Sequence, residues 1–200
     1  MRLIGTYTSP FVRRVRVVAL ELGLELELLD AKTPEGEAAW HRATPLRKVP
    51  VLERFDEVVL DSHAIVDLLL AEHGPGPLRP WRPTNRVIEG NMVHAVDGAL
   101  EAAIRLFYVR RDGGDPAQIP YMRVEAERVE RTLTWLDGQV RGQWCTPEPG
   151  FGLAELALVT ALEWMQVRGG VKLAAYGHLV ALAAAHAERP SLASTRPPPA

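Results

Sequence analysis

Leu3-Ile4-Gly5-Thr6-Tyr7-Thr8-Ser9-Pro10-Phe11-Val12-Arg13-Arg14 turns from a strand-like apolar pair into a helix start. Ser9 carries an oxygen that accepts a bond from a free first-turn N–H, and Pro10 suits the first helical position, where its missing N–H goes unused. Val12, Val15, Ala19 and Leu22 then recur at helical spacing, and Gly23 stops the run. Val17 and Leu20 lie on the other side, so the helix is expected to pack on two faces, by a sheet and by something else, with a second domain as the candidate.

Further along, Leu24-Glu25-Leu26-Glu27-Leu28 alternates with a period of two, the mark of a half-buried strand. A weaker helix is expected within Pro34 to Ala43. Val49 to Glu53 and Glu57 to Leu60, separated by a polar turn, read as a hairpin, and Ser62 to Glu72 as a helix opened by an N-cap residue. The order β-α-β-α-β-β-α is that of an α/β layer fold. Gly74-Pro75-Gly76-Pro77, with prolines at 80 and 83, then breaks the pattern. Residues 1–75 are therefore assigned to an α/β domain, 76–85 to a linker and 86–200 to an all-helical domain. Within the last, Met122, Ala126, Val129, Leu133, Leu136 and Val140 form one helical seam. Residues 153–167 are apolar nearly all round, as expected of a helix through the middle of that domain. The tail at Pro197-Pro198-Pro199 is expected to be extended and mobile.

Composition narrows the function classes. An apolar fraction of 47% over 200 residues supplies a core, and 23 basic against 25 acidic residues provide no field for nucleic acid or anionic lipid. The lone Cys145 forms no internal disulfide framework, and the six histidines show no paired metal spacing, so no metal is expected. The N-terminus turns polar before a signal-like segment develops, and Leu173 to Ala187 is interrupted by Gly177 and His178. A soluble cytoplasmic protein is expected. His63 reads as structural or surface, and Arg13, Arg14 and Arg16 as a solvated or interdomain face. Nothing near Cys145 in sequence implies a lowered thiol pKa.

The phrase Tyr7-Thr8-Ser9-Pro10-Phe11-Val12-Arg13-Arg14 resembles the glutathione transferases, especially small bacterial members with a Ser-Pro-Phe-Val-Arg start. The resemblance implies a thioredoxin-like N-terminal domain followed by a helical one. The frame also resembles the Cys-Pro-Phe-Cys site of glutaredoxins, with Ser9 and Val12 where thiols would stand, so dithiol exchange is lost. What is left is a hydroxyl at a helix N-terminus, where unpaired N–H groups and the helix dipole favour an anion. Beside Ser9, a glutathione thiol, with an ordinary pKa of about 8.5, would be held as thiolate. An isolated Ser-Pro is most often only a cap, and it is the surrounding matches that set this one apart.

Those matches lie further along the domain. In Lys48-Val49-Pro50-Val51-Leu52 the resemblance implies a cis Val49–Pro50 bond that turns the Val49 backbone toward the cysteine of glutathione. Lys48 is placed near a glutathione carboxylate, and Phe11 and Pro50 among the glutathione-binding residues. Asp61-Ser62 resembles the pair that holds the γ-glutamyl end: Ser62 and first-turn amides for the α-carboxylate, Asp61 for the α-ammonium. Beyond residue 75 the likeness loosens. Gly152 and Glu155 stand where the family carries a Ser/Thr-x-x-Asp capping box, so half the box is missing. Arg189-Pro190-Ser191-Leu192-Ala193 resembles the family's closing phrase. Phe107, Tyr108 and Arg111 are the candidates for a second-substrate pocket, with core packing the stronger reading of Phe107. The implied activity is conjugation or another use of glutathione thiolate against a small electrophile, as in detoxification, by a homodimer. The alternative is a glutathione-binding regulatory protein of the same fold with little turnover.

Overall fold

Leu3 and Ile4 are both fully buried, which in a strand requires cover on both faces. They lie in β1 (Arg2–Gly5), which pairs in parallel with β2 (Glu27–Asp30) and antiparallel with β3 (Val51–Arg54). β4 (Glu57–Leu60) pairs antiparallel with β3, giving the order β2-β1-β3-β4. On one face Ile4 and Val51 pack with Ala39 and Trp40 of α2 (Pro34–Ala43). The other face carries α1 (Pro10–Glu21) and α3 (Ser62–His73), which pack on each other. Gly5 permits the close approach of α1, since a Cβ there would stand 2.5 Å from Val12 Cγ2. The β-α-β-α-β-β-α order is thus the observed one, in a thioredoxin-like mixed sheet.

The computed structural model describes residues 1–79 and 82–198, so Pro80 of the expected linker and Pro199 of the expected tail lie outside the described residues. Two units emerge: Met1–Leu78 joined by the stretch from Arg189 onward, and a helical unit from Arg79 to Glu188. The closing residues, grouped by sequence with the helical domain, therefore belong by contact with the first unit. Their short helix α8 (Pro190–Ala193) packs on α1 and supplies a second cover for that helix.

Three local readings change. The alternation over 24–28 survives in burial, but the ladder begins only at Glu27, whose N–H meets the Met1 carbonyl at 3.1 Å. Leu24 is used otherwise: its N–H closes the end of α1 on the Ala19 carbonyl, at 2.8 Å, after Gly23 turns the chain at φ 68°. At α3 the cap is Asp61, with Oδ1 accepting from the His63 N–H at 2.8 Å, and Ser62 is the first helical residue. Pro83, placed in the linker, opens a helix, as its fixed φ allows at the first helical position.

The helical unit contains α4 (Pro83–Arg111), α5 (Pro120–Gln139), α6 (Leu153–Trp164) and α7 (Gly177–His186). A π-helical turn, Met165–Gly169, extends α6. Ten of the twelve α6 residues are buried, so it runs through the core of its unit as its all-round apolar pattern predicts. No helix among the described residues is long and apolar enough to cross a membrane.

The surviving half of the α6 capping box forms, and a second carboxylate joins it at the same helix start. Gly152 has no side-chain acceptor, but Glu155 Oε2 accepts from the Gly152 N–H at 2.9 Å and Oε1 from the Cys145 N–H at 2.6 Å. Glu89, reaching over from α4, accepts from the Leu153 N–H. Burial pushes its carboxyl up to about 7, and Glu155 adds to the rise while Arg79, the Leu153 N–H and Arg86 oppose it.

Folded Glu89 thus holds its proton more tightly than the unfolded chain does. The stability this provides is complete below the ordinary carboxylate range and is lost as pH rises to about 7. Glu89→Gln is expected to remove that loss. Denaturation midpoints from about pH 5 to about pH 8 should fall for the natural chain relative to the variant, by the equivalent of about 2–3 kcal/mol.

Candidate functional site

Pairing register brings the site together. Ile4 is opposite Val51 and Val51 is opposite Leu60, so the end of β1, the start of β3 and the end of β4 lie in one row across the sheet. The three segments attached there are the loop through Ser9, the Val49–Pro50 peptide and Asp61-Ser62. All three therefore leave the same end of the sheet.

Ser9 caps α1 with extended backbone at φ −79° and ψ 124°, its Oγ accepting from the Val12 N–H at 3.3 Å. Capping uses a lone pair, which leaves the hydroxyl proton for donation to another group. The first turn of α1 carries no acidic side chain, so nothing local offsets the positive end of its dipole. Phe11 is half-buried under the Arg14 guanidinium, 5.4 Å from its ring centre. Arg14 Nη1 lies 3.5 Å from His63 Nε2, which sets the first turns of α1 and α3 side by side.

The Val49–Pro50 bond is cis, as the family likeness implied. Pro50 is buried and Val49 half-buried. Lys48 is exposed while its carbonyl is fixed by Trp40 Nε1–H at 2.9 Å, so the backbone is held and the ammonium remains in water. Asp61 takes φ 73° and ψ 144°, a region that side chains other than glycine's rarely enter. Ser62 is only 1% exposed and its Oγ has no hydrogen-bond partner among the described residues. A buried orphan hydroxyl at a helix start, next to a strained acidic residue, costs stability for which the free protein shows no return.

The basic trio departs from its reading as a solvated or interdomain face, because Arg13 and Arg14 are buried inside the first unit. Arg13 Nη2–H donates to the Leu192 carbonyl at 3.0 Å and Nε–H to Thr195 Oγ1 at 3.3 Å, while Arg16 lies 5.4 Å over the Tyr7 ring. The signal for Arg13 in the sequence was only its place four residues before Val17, on the same face of the helix. Its partners stand about 180 positions away.

Of the second-substrate candidates, Phe107 meets Trp164 edge-on at 5.6 Å, a packing role. Tyr108 is 47% exposed, with the Arg111 guanidinium 4.5 Å over its ring. Arg111 also pairs with Asp112 at 2.7 Å, which offsets its charge. All three belong to the helical unit, where the groove of about 590 Å³ between α4 and α5 is lined by other residues, among them Arg105, Arg131 and Trp135. Cys145 is buried, and burial, then Glu155, pushes its thiol well up, the opposite of a reactive thiolate. Among the described residues no group of three or more His, Cys, Asp or Glu side chains is placed to hold a metal.

Residues 3–77 match the family model of the glutathione S-transferase N-terminal domain. The GST-like protein YibF of Escherichia coli is 29% identical over the whole of both chains. A glutathione S-transferase from Methylobacterium radiotolerans, solved with glutathione sulfonate, superposes with a TM-score of 0.86 at 26% identity, covering 100% of this chain and 95% of that one. Another from Methylobacillus flagellatus, with glutathione bound, gives 0.83 at 28% identity, covering 98% and 99%.

The orphan hydroxyl makes a prediction that needs no ligand. Ser62→Ala removes a buried, unpaired polar group and is expected to leave the free protein as stable or up to about 1–2 kcal/mol more stable, read from chemical denaturation.

Proposed function

We propose that this chain, whose residues 3–77 match the N-terminal-domain model of the glutathione S-transferases and whose fold has the same two parts, is a member of that family that binds glutathione and presents its thiolate to a small electrophile. The observation that carries the reading is Ser62: a buried hydroxyl without a partner, beside a strained Asp61, at the same sheet end as the Ser9 cap. Such an arrangement is retained where a ligand supplies what the protein lacks. The Ser62 hydroxyl and the first-turn amides of α3 take the α-carboxylate of the γ-glutamyl end, and Asp61 draws the α-ammonium. The Val49 backbone, turned by the cis bond, pairs with the cysteine of the tripeptide, Phe11 and Pro50 border it, and Lys48 faces a carboxylate from solvent.

The sulfur then lies at the start of α1. The hydroxyl proton of Ser9 is donated to it while the Ser9 lone pair caps Val12, and the dipole of α1 favours the negative charge. Each unit by which the thiol pKa falls brings up to about tenfold more thiolate at neutral pH. Holding that thiolate against the electrophile makes the attack effectively unimolecular. Phe107, Tyr108 and Arg111 are proposed to border the electrophile. A cytoplasmic homodimer is proposed as the working form, supported by the half-exposed Trp135 beside the groove of α4 and α5.

Ser9→Ala is expected to keep glutathione affinity within about threefold while conjugation falls by about 100-fold, whereas Ser62→Ala and Asp61→Ala weaken binding by about 10-fold or more. Calorimetry and turnover over a panel of electrophiles read both quantities. Equal turnover with and without Ser9 removes it from this role, and binding without turnover on every electrophile turns the reading to the regulatory alternative. In light scattering the scattering species is expected at twice the chain mass.

A further inference from the structure

The helix that starts at Ser9 is gripped from behind by the end of the chain. Two turns apart along α1, Arg13 and Glu21 both reach the stretch 189–195. Glu21 accepts from Arg189 through both oxygens, at 2.7 and 2.6 Å, and also from the Ser191 hydroxyl. Burial raises the Glu21 carboxyl, but Arg189 and Ser191 outweigh it and hold the group below its usual range. Such a forked, charge-assisted pair fixes orientation as well as distance. Arg13 is 2% exposed and donates to the Leu192 carbonyl near the end of α8, which also lies 3.3 Å from the Thr195 hydroxyl, and to Thr195 Oγ1. Thr195 in turn donates back to the Ser191 carbonyl at 2.8 Å, so the arginine meets an acceptor that is itself held in place.

Arg13 has a second connection, through its backbone. Its N–H donates to the Ser9 carbonyl at 3.0 Å, the bond that closes the first turn of α1 on the capping residue. Side chain and main chain of one residue therefore join the C-terminal stretch to Ser9. A buried guanidinium has little freedom to shift without losing its partners, since each would be left unsatisfied.

We propose that Arg13 is a positioning residue for the Ser9 site, and that the C-terminal stretch 189–195 acts through it to set the orientation of the first turn of α1 toward the glutathione sulfur. The inference rests on the glutathione reading above. It assigns Arg13 no contact with the ligand. The stretch 189–195 thereby becomes part of the first unit's working structure.

The test uses the full chain with Thr195→Val, Arg13→Lys and Arg13→Gln, each with glutathione and one electrophile that the natural chain turns over. Three quantities are read: glutathione affinity by calorimetry, the pH midpoint of thiolate formation by ultraviolet absorbance of the bound complex, and kcat against KM. Thr195→Val and Arg13→Gln are expected to keep affinity within about threefold, because the anchor at α3 is untouched. Their thiolate midpoint should rise by about one pH unit, with kcat at neutral pH about tenfold lower and KM for glutathione little changed. Arg13→Lys, which keeps a donor for the Leu192 carbonyl, should recover part of the loss.

Unchanged midpoints and kcat in Thr195→Val and Arg13→Gln would overturn the proposal. So would a parallel loss of affinity, melting temperature and activity in the mild Thr195→Val, since that is the mark of a merely structural contact. Thr195→Val decides the matter where Arg13→Gln fails to fold. A natural chain that itself forms no bound thiolate would instead sink the glutathione reading, an outcome separate from normal thiolate in the natural chain and in the variants alike.

Discussion

Three bonded residues in a row, Ile4 beside Val51 and Val51 beside Leu60, govern what this protein is able to do. Strand register is a discrete choice: a shift of one residue would turn every side chain to the other face. With Ile4 and Val51 packed against α2, no such shift is compatible with the core. The same choice delivers Ser9, the cis Val49–Pro50 peptide and Asp61-Ser62 to one end of the sheet. The site is thus a consequence of the core, built from loops that the strands aim.

At that end, two helix starts are completed in different ways. The start of α1 is closed by Ser9, whose oxygen serves Val12 and whose proton stays available. The start of α3 is closed by Asp61 at an unfavourable φ, and it leaves the Ser62 hydroxyl buried without a partner. Stability is given up at α3 and kept at α1. On the function proposed above, α3 anchors one end of glutathione and α1 activates the other. The first unit recovers rigidity from the back of α1, where Glu21 and Arg13 hold residues 189–195.

The helical unit treats a helix start differently again. Gly152 cannot cap with a side chain; Glu89 supplies a carboxylate to the Leu153 N–H of α6, and Glu155 holds the N–H of Gly152 itself. Burial first, and then the nearby acids, raise the proton affinity of Glu89 and of the neighbouring Cys145. The start of the central helix is therefore held in part by a carboxyl pushed up to about 7, and the thiol nearby is kept protonated.

Local sequence was enough for much of this. Helical spacing in 12–22, the weaker helix within Pro34 to Ala43, the hairpin around residues 55–56 and the seam through Val129 and Leu136 all depend on neighbours within about two turns, and all appear in the fold. The motif residues Ser9, Val49, Pro50, Asp61 and Ser62 are named by the resemblance of their short surrounding phrases to one family. Tertiary structure alone decided that β2 begins at Glu27, since Leu24 was already committed to the end of α1. It decided too that Arg13 and Arg14 are buried, that Glu89 serves α6, and that the last residues belong with the first unit. Those facts join residues up to about 180 positions apart, and no local propensity records which distant group will satisfy a charge once water has been removed from around it.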